Sequence, residues 1–545
     1  MTAAGTNLTP DRAAPMSSRQ GKFRRFLPPA LLVLAAIMVR VPGLDRPLVG
    51  NFATKSAVYA MIARNWALDR APLSRPTIDL AAGDERAWHL MEWPAPAFAA
   101  AVGWRTFGGS LDAWGRGISI FCSAAAVGLM WLYVRRRLGD AAALVAAGVI
   151  AFSPVSVVYG QCFMLEAPLM MLMLLVLYAF ERGWTARNSS RAAAWFLVSG
   201  LAFSAAVATK IYMLMLAPVL VVCVWEQARA TAWNVPRWAT ALAIFFLTAL
   251  PTALWYADVL SISTSVAAAA DHHPLDRATV HGIPHPLLFE AKFYARLAAD
   301  FATHVLTPIG LLCVGAGLAW GRKSLSSTHV ALLAVSALLV VALPLKFYVA
   351  NYYYVVLLPA AAIATATAWQ ALQTRYVFTA KTQAAWAVVA LGFAARYAIG
   401  PAFVTPPGDR SVEVAAAAAR ESSAAEEPVA TLHGSGVDLL YYCDRRGWAL
   451  NADSPQFGES LQAAIDGGAK LLVVADLKTA YRTPTTQAVL QALPLVDEGD
   501  DWRLLALPNR ELVTDLIRQF ATNPPDAGPT TAVSQSLPAP STAAR

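Results

Sequence analysis

Charge is scarce in this chain: Asp, Glu, Lys and Arg make up 14% of its 545 residues. Soluble domains carry roughly a quarter, and the mean hydropathy is +0.47, so the chain as a whole is not a water-soluble globule. Cysteine is sparse too. Cys122, Cys162, Cys223, Cys313 and Cys443 are scattered without a Cys-x-x-Cys pair, which leaves no disulfide framework and no zinc knuckle to read. Small buried apolar side chains explain them better. No repeat relates the two apolar halves, so the inverted-repeat signature of secondary transporters is missing. The net charge of +8 raises nucleic acid as a partner. The basic residues, however, sit in short clusters between apolar stretches, as orientation signals do, and no nucleic-acid partner is expected.

What is abundant is apolar sequence in long runs. A bilayer-spanning helix needs about 20 apolar residues. Spans of that kind fall near 26–42, 113–134, 140–158, 165–181, 192–209, 211–227, 238–256, 302–320, 327–344, 352–372 and 383–400. Residues 94–108 form a further apolar, interfacial segment. Basic residues precede the first run, but Val41-Pro-Gly-Leu-Asp follows it instead of a small-residue cleavage site, so we read an uncleaved helix. With eleven spans, Arg135-Arg136-Arg137, Arg182/Arg187/Arg191, Arg229/Arg237, Arg322/Lys323 and Arg375/Lys381 all lie on the side of the basic N-terminus. Positive-inside bias then makes that side cytoplasmic. The loop 41–96, the segment 257–300 and everything after 400 fall outside.

The expected domains are a disordered cytoplasmic N-terminus (1–20), a transmembrane domain (21–404) with a long first outer loop, an extracytoplasmic α/β domain (405–518) and a disordered tail (519–545). Short strands at 429–434, 448–451 and 470–476 alternate with helical stretches at 411–422, 455–467 and 484–493, which implies a largely parallel sheet. No Gly-x-Gly-x-x-Gly or P-loop occurs there, so nothing in it demands a nucleotide. A docking or accessory role fits it best.

Ionisable side chains close to a membrane are costly and are functional candidates by default. The loop 41–96 holds six basic and six acidic residues, and loops of this length carry function disproportionately. Residues 52–66 have helical spacing, with Lys55 and Tyr59 on one face and Arg64 beyond them. A solvated surface helix accounts for the pattern equally well. Glu92, between His89 and Trp93-Pro94, is less hydrated than a carboxylate in open loop, which suits a general base. Capping or a salt bridge is the alternative. Glu166 lies just before Pro168 at a helix start, where a carboxylate also complements the helix dipole. Lys210 and Lys346 fall at the outer ends of spans, Lys346 shortly before Tyr352-Tyr353-Tyr354. Lysines there either snorkel or, converging with Lys55, bind phosphate as point charges. Two outer carboxylates with outer lysines fit a lipid-anchored phosphosugar: the lysines hold its phosphate while a carboxylate deprotonates an acceptor hydroxyl.

At these residues the chain resembles the GT-C glycosyltransferases, especially glycosyltransferase family 39, with its protein O-mannosyltransferases and aminoarabinose transferases. The matching features are Tyr59-Ala-Met-Ile-Ala-Arg64-Asn65, Glu92-Trp93-Pro94, Phe107-Gly108, the Arg116 stretch, Ser153-Pro154, Glu166-Ala167-Pro168, Lys210 and Tyr353-Tyr354…Leu358-Pro359. The resemblance covers roughly residues 30–400. The resemblance implies a polytopic α-helical membrane protein of about eleven transmembrane helices, GT-C-like, with a small extracytoplasmic α/β domain. It implies residence in a bacterial inner membrane and a polyprenyl-phosphate sugar donor. The acceptor would be a lipid, glycan or protein outside the cytoplasm, attacked with inversion by direct displacement. Glu166 and Glu92 would be the catalytic carboxylates. Lys55, Tyr59, Arg64, Lys210, Lys346 and Tyr353 would bind substrate. Where the family places an acid, about four residues before the helix tyrosine, this chain has Lys55. That departure shifts the chemistry toward Glu92 or Glu166, and it keeps open an inactive scaffold. A flippase for lipid-linked sugars is the other alternative. No cofactor is certain: a carboxylate pair could take a divalent metal, yet no ligand cluster is legible.

Overall fold

The computed structural model describes residues 18–50, 53–90, 92–231, 235–266, 285–376, 379–434 and 436–507. The expected disorder at 1–17 and 519–545 therefore lies outside the described residues, while Ser18–Gln20 open the first helix. The chain divides into two compact units. One comprises Met1–Arg46, Leu90–Ala267 and Asp271–Val404; the other comprises Pro47–His89, Ala268–Ala270 and Thr405–Arg545.

The first unit is helical. Eight helices among the described residues are long and apolar enough to cross a membrane, or nine if one bent pair is a single span. About eleven spans were expected, and the difference has local causes. The stretches 113–134 and 140–158 join in one helix, Leu111–Phe152, broken at Gly139, whose φ of 84° and ψ of 175° only glycine adopts easily. The stretch 302–320 is bent by 109° between Ala291–Val305 and Thr307–Trp320. There Pro308 disfavours the helical region for the residue before it, Thr307 takes a φ of +64°, and Phe301–Val305 is π-helical. The stretch 327–344 is the 16-residue helix Ser327–Ala342, short for a span.

The basic cluster after Tyr133 is more than an orientation signal. Arg136 and Arg137 each reach Glu181 at 3.2 Å, and Arg137 also reaches Glu226 at 2.9 Å. Glu226 in turn accepts from the Thr328 amide and hydroxyl. Four helices, Leu111–Phe152, Glu166–Trp184, Leu216–Thr231 and Ser327–Ala342, are thus clamped together by charge.

The second unit is α/β and takes in most of the first outer loop, which the sequence reading assigned to the transmembrane domain. Its strands are β1 (Thr77–Ala82), β2 (Glu85–Trp88), β3 (Val429–Leu432), β4 (Gly447–Leu450), β5 (Leu471–Ala475), β6 (Leu495–Gly499) and β7 (Trp502–Ala506). They form one sheet in the order β2-β1-β4-β3-β5-β7-β6. The centre, β1-β4-β3-β5, is parallel; β2, β6 and β7 run antiparallel at the two sides. Every residue of β3 and β5 is buried, as parallel strands covered on both faces must be. Leu432, Leu450, Phe457, Leu461, Leu472 and Val474 belong to its core.

The loop helix is present as Ala53–Ala67, but it is not a solvated surface helix: nearly all of it from Ser56 onward is buried. Its alanines permit close packing on the helix Asp438–Cys443. Arg64 anchors it, with Nη2 2.6 Å from Asp79, Nη1 3.2 Å from Asp444, and its guanidinium 4.6 Å from the Tyr441 ring centroid. Burial lowers the Arg64 pKa, but Asp79 and Asp444 outweigh it and hold the value above the usual arginine range. Among the described residues, Arg64→Leu leaves buried Asp79 with the more exposed Arg86 as its charged partner. We expect a loss of about 3 kcal/mol and faster hydrogen exchange at the Ala53–Ala67 amides; unchanged exchange there would show that the anchor is dispensable.

Candidate active site

Glu92 and Lys210 meet in the first unit, Nζ to Oε2 at 2.7 Å, with side chains 4% and 9% exposed. Lys210 caps the helix Ser189–Thr209 in an extended conformation, and a 3₁₀ turn, Ile211–Met215, follows it. Glu92 is carried to it by the backbone: the next residue, Trp93, donates its amide to the carbonyl of Ala208 at 2.9 Å. Pro94 then starts the helix Ala95–Phe107, the interfacial segment of the sequence reading.

Glu166 is the first residue of the helix Glu166–Trp184 and is 5% exposed. The chain reaches it through a turn that arginines hold in place. Arg116 donates to the carbonyls of Arg46 (3.0 Å) and Gln161 (3.1 Å). Arg40, fully buried, donates to Ala36, to the Ser156 carbonyl and to the Ser156 hydroxyl. Gln161 donates to Ala402 at 3.1 Å. These side chains tie the carbonyls on either side of the break to neighbouring elements.

Tyrosines surround the charges. Tyr212, Tyr352 and Tyr353 each lie within electrostatic range of Glu92, Glu166 and Lys210. The Tyr352 and Tyr353 rings stack at 4.8 Å, Tyr353 meets Tyr212 at 6.1 Å, and Tyr159 meets Tyr352 edge-on at 6.0 Å. The Tyr159 hydroxyl bonds Asn351, and Tyr256 donates to the Val207 carbonyl at 3.0 Å. Two carboxylates, one ammonium and an aromatic wall therefore share one buried place. Aromatic faces of this kind suit the apolar faces of a sugar ring, while the charges suit its hydroxyls and phosphate.

Of the residues singled out from sequence, the structure brings Glu92, Glu166, Lys210 and Tyr353 together. Lys346 is half-buried on the short helix Pro344–Val349, next to Phe347, whose ring meets Tyr353 at 5.9 Å. Lys55, Tyr59 and Arg64 belong to the second unit: Lys55 is half-buried, and buried Tyr59 faces the His89 ring edge-on at 6.4 Å. Lys210 was expected as a separate cation for phosphate and Glu92 as a separate base; they are partners of each other. Tyr212 was missed, and its place one residue beyond Lys210 was the signal that could have found it.

This arrangement, a helical unit with membrane-length spans and a small α/β unit in one chain, is a fold that the chain shares with solved structures that include an oligosaccharyltransferase. Residues 92–255 match the family model described as dolichyl-phosphate-mannose-protein mannosyltransferase. Among solved structures, the chain is similar to ArnT from Cupriavidus metallidurans bound to undecaprenyl phosphate, with a TM-score of 0.59 and 16% identity over 88% of this chain and 97% of that one. It is also similar to the oligosaccharyltransferase AglB from Archaeoglobus fulgidus in complex with an inhibitory peptide and a dolichol-phosphate, with a TM-score of 0.55 and 13% identity over 87% of this chain and 71% of that one. Comparison with the curated proteins finds no match.

Proposed function

We propose that this protein transfers a sugar from a polyprenyl-phosphate donor to an acceptor outside the cytoplasm. The observation that carries the reading is the buried Glu92–Lys210 pair with Glu166 beside the same tyrosines, in a fold shared with structures solved in complex with undecaprenyl phosphate or a dolichol-phosphate. Glu166 takes the proton of the acceptor hydroxyl as its oxygen attacks the anomeric carbon. The bond from that carbon to the phosphate oxygen breaks, the configuration inverts, and polyprenyl phosphate leaves. Lys210, oriented by Glu92, stabilises the departing phosphate, with Lys346 as a further phosphate contact. Tyr353 contacts the substrate, and in the second unit Arg64 holds the helix Ala53–Ala67. An apolar cavity of about 670 Å³ in the first unit, lined by Val149, Phe152, Ile309, Trp369, Trp386 and Leu391, has the size and character to hold part of a prenyl chain. The protein resides in the bacterial inner membrane with its N-terminus inside and its second unit outside.

The test is a purified protein incubated with polyprenyl-phosphate sugars and candidate acceptors. Transfer releases free polyprenyl phosphate. If sugar-phospholipid crosses vesicle bilayers and no polyprenyl phosphate is released, the protein is a flippase and this reading falls. Comparison of surface glycans with and without the gene identifies the sugar and acceptor.

A further inference from the structure

The second unit holds a cluster that the transferase reading does not use. Ligand atoms of Asp409, His433 and Asp438 lie within 4.8 Å of one another. His433 follows β3, Asp438 opens the helix Asp438–Cys443, and Asp409 lies in the turn Pro407–Ser411. The Asp438 carboxylate is 3% exposed and stands 3.0 Å from His433 Nδ1; the Asp409 carboxylate is 18% exposed and stands 3.1 Å from Nε2. One ring nitrogen therefore faces a deep carboxylate and the other an accessible one.

The place is also one where sheets of this kind bind ligands. From β3 the chain passes through a helix to β4 on one side, then crosses through another helix to β5 on the other. The carboxyl ends of β3 and β5 thus flank a topological switch point, and open α/β sheets take their ligands in the crevice formed there. His433 stands at the end of β3 and Asp476 at the end of β5. The Asp476 carboxylate is pressed on Gly408, the neighbour of Asp409, so closely that a Cβ on Gly408 would lie 2.5 Å from its Cγ. Asp501, which accepts from the Leu477 amide at 3.0 Å, adds a fourth carboxylate within electrostatic range of Asp476 and His433. Four carboxylates against one imidazole leave negative charge in excess, and partly buried charge of one sign calls for a counter-ion.

We propose that this edge binds a divalent cation of the zinc or manganese class through His433 Nε2 and Asp409, with water completing the coordination. Asp438 accepts the Nδ1 proton and so fixes the imidazole with Nε2 toward the metal, the arrangement in which a carboxylate orients a ligating histidine. Mixed nitrogen and oxygen donors favour zinc or manganese over magnesium, which prefers oxygen alone. The proposal is independent of the transferase reading, because the cluster belongs to the second unit and Glu92, Lys210 and Glu166 to the first.

The test uses the full-length protein in detergent, stripped with EDTA and titrated with Mn²⁺, followed by electron paramagnetic resonance and by competition with Zn²⁺. Stoichiometric uptake with nitrogen coupling in the Mn²⁺ spectrum is expected. His433→Ala should abolish the coupling, and Asp438→Asn should weaken binding about 10- to 100-fold. Glu92→Gln should bind as the wild type does. If the stripped wild-type protein takes up neither metal stoichiometrically, the proposal is wrong and the cluster is an imidazolium bridging two carboxylates. Undiminished uptake by both the Asp438→Asn and the Asp409→Asn proteins overturns it as well, and those two variants serve if His433→Ala does not fold. Loss of the metal in Glu92→Gln would place the ion in the membrane unit and would likewise sink it.

Discussion

Glu166→Gln is expected to lower turnover about 10²- to 10⁴-fold while donor binding stays close to wild type. Positioned acid–base groups contribute rate factors of that order, and a glutamine keeps the shape of the side chain without its basicity. The competing role for Glu166 is electrostatic, because it is the first residue of the helix Glu166–Trp184 and a carboxylate there is favourable. That role is worth about 0.3–1 kcal/mol, whereas a 10²-fold loss corresponds to about 2.7 kcal/mol. The two readings therefore differ by more than the error of the measurement. The readout is polyprenyl phosphate released per enzyme under saturating donor, with binding of a non-transferable donor analogue measured alongside. Full turnover in Glu166→Gln would reduce this residue to a helix start and move the proton transfer elsewhere. Glu166→Asp should recover part of the rate if the carboxylate is the base, since the shorter side chain still carries the charge.

The membrane unit was largely legible because a bilayer imposes one simple rule, a run of about 20 apolar residues for each crossing. Each of the eleven apolar stretches lies on helix in the structure, and the departures arise at Gly139, at the Thr307-Pro308 step and in the shortness of the helix Ser327–Ala342. What was hidden was everything that depends on partners distant in sequence. The strand β1 pairs with β4 at Leu80 and Gly447, and nothing near Leu80 could announce a partner at the far end of the chain. The helix Ala53–Ala67 carries Lys55 and Arg64 and so reads as amphipathic. Its burial follows from small alanines and from acids supplied by β1 and by Asp444. Glu92, Glu166 and Lys210 were each visible as costly charges near apolar sequence. That Glu92 and Lys210 neutralise each other could not be read, because local sequence does not say which charges meet. His433 and its carboxylates failed for the same reason: residues 409, 433, 438 and 476 form no spaced motif, and only the sheet order collects them.

Lys210→Met is expected to be the most disruptive single change in the membrane unit, and a second substitution should separate its two consequences. Removing the ammonium 2.7 Å from Glu92 leaves a carboxylate that is 4% exposed without that cation. Breaking a buried pair by deleting one partner typically costs about 3–5 kcal/mol, so the thermal unfolding midpoint in detergent should fall sharply. Glu92→Gln alone should cost less, because the long lysine stem can shift its charge toward water. In the double variant Lys210→Met/Glu92→Gln no charge is stranded, and stability should return most of the way to wild type, giving a large coupling in a double-mutant cycle. Activity should not return with it. If the pair existed only to hold the helix end, the refolded double variant would regain transfer, because Trp93 would still be tied to Ala208 through the backbone. If Lys210 stabilises the departing phosphate, the double variant stays folded and inactive, and Lys210→Arg/Glu92 wild type recovers part of the rate by restoring a cation. A stable, active double variant would leave Glu166 and the tyrosines as the only chemistry at this place.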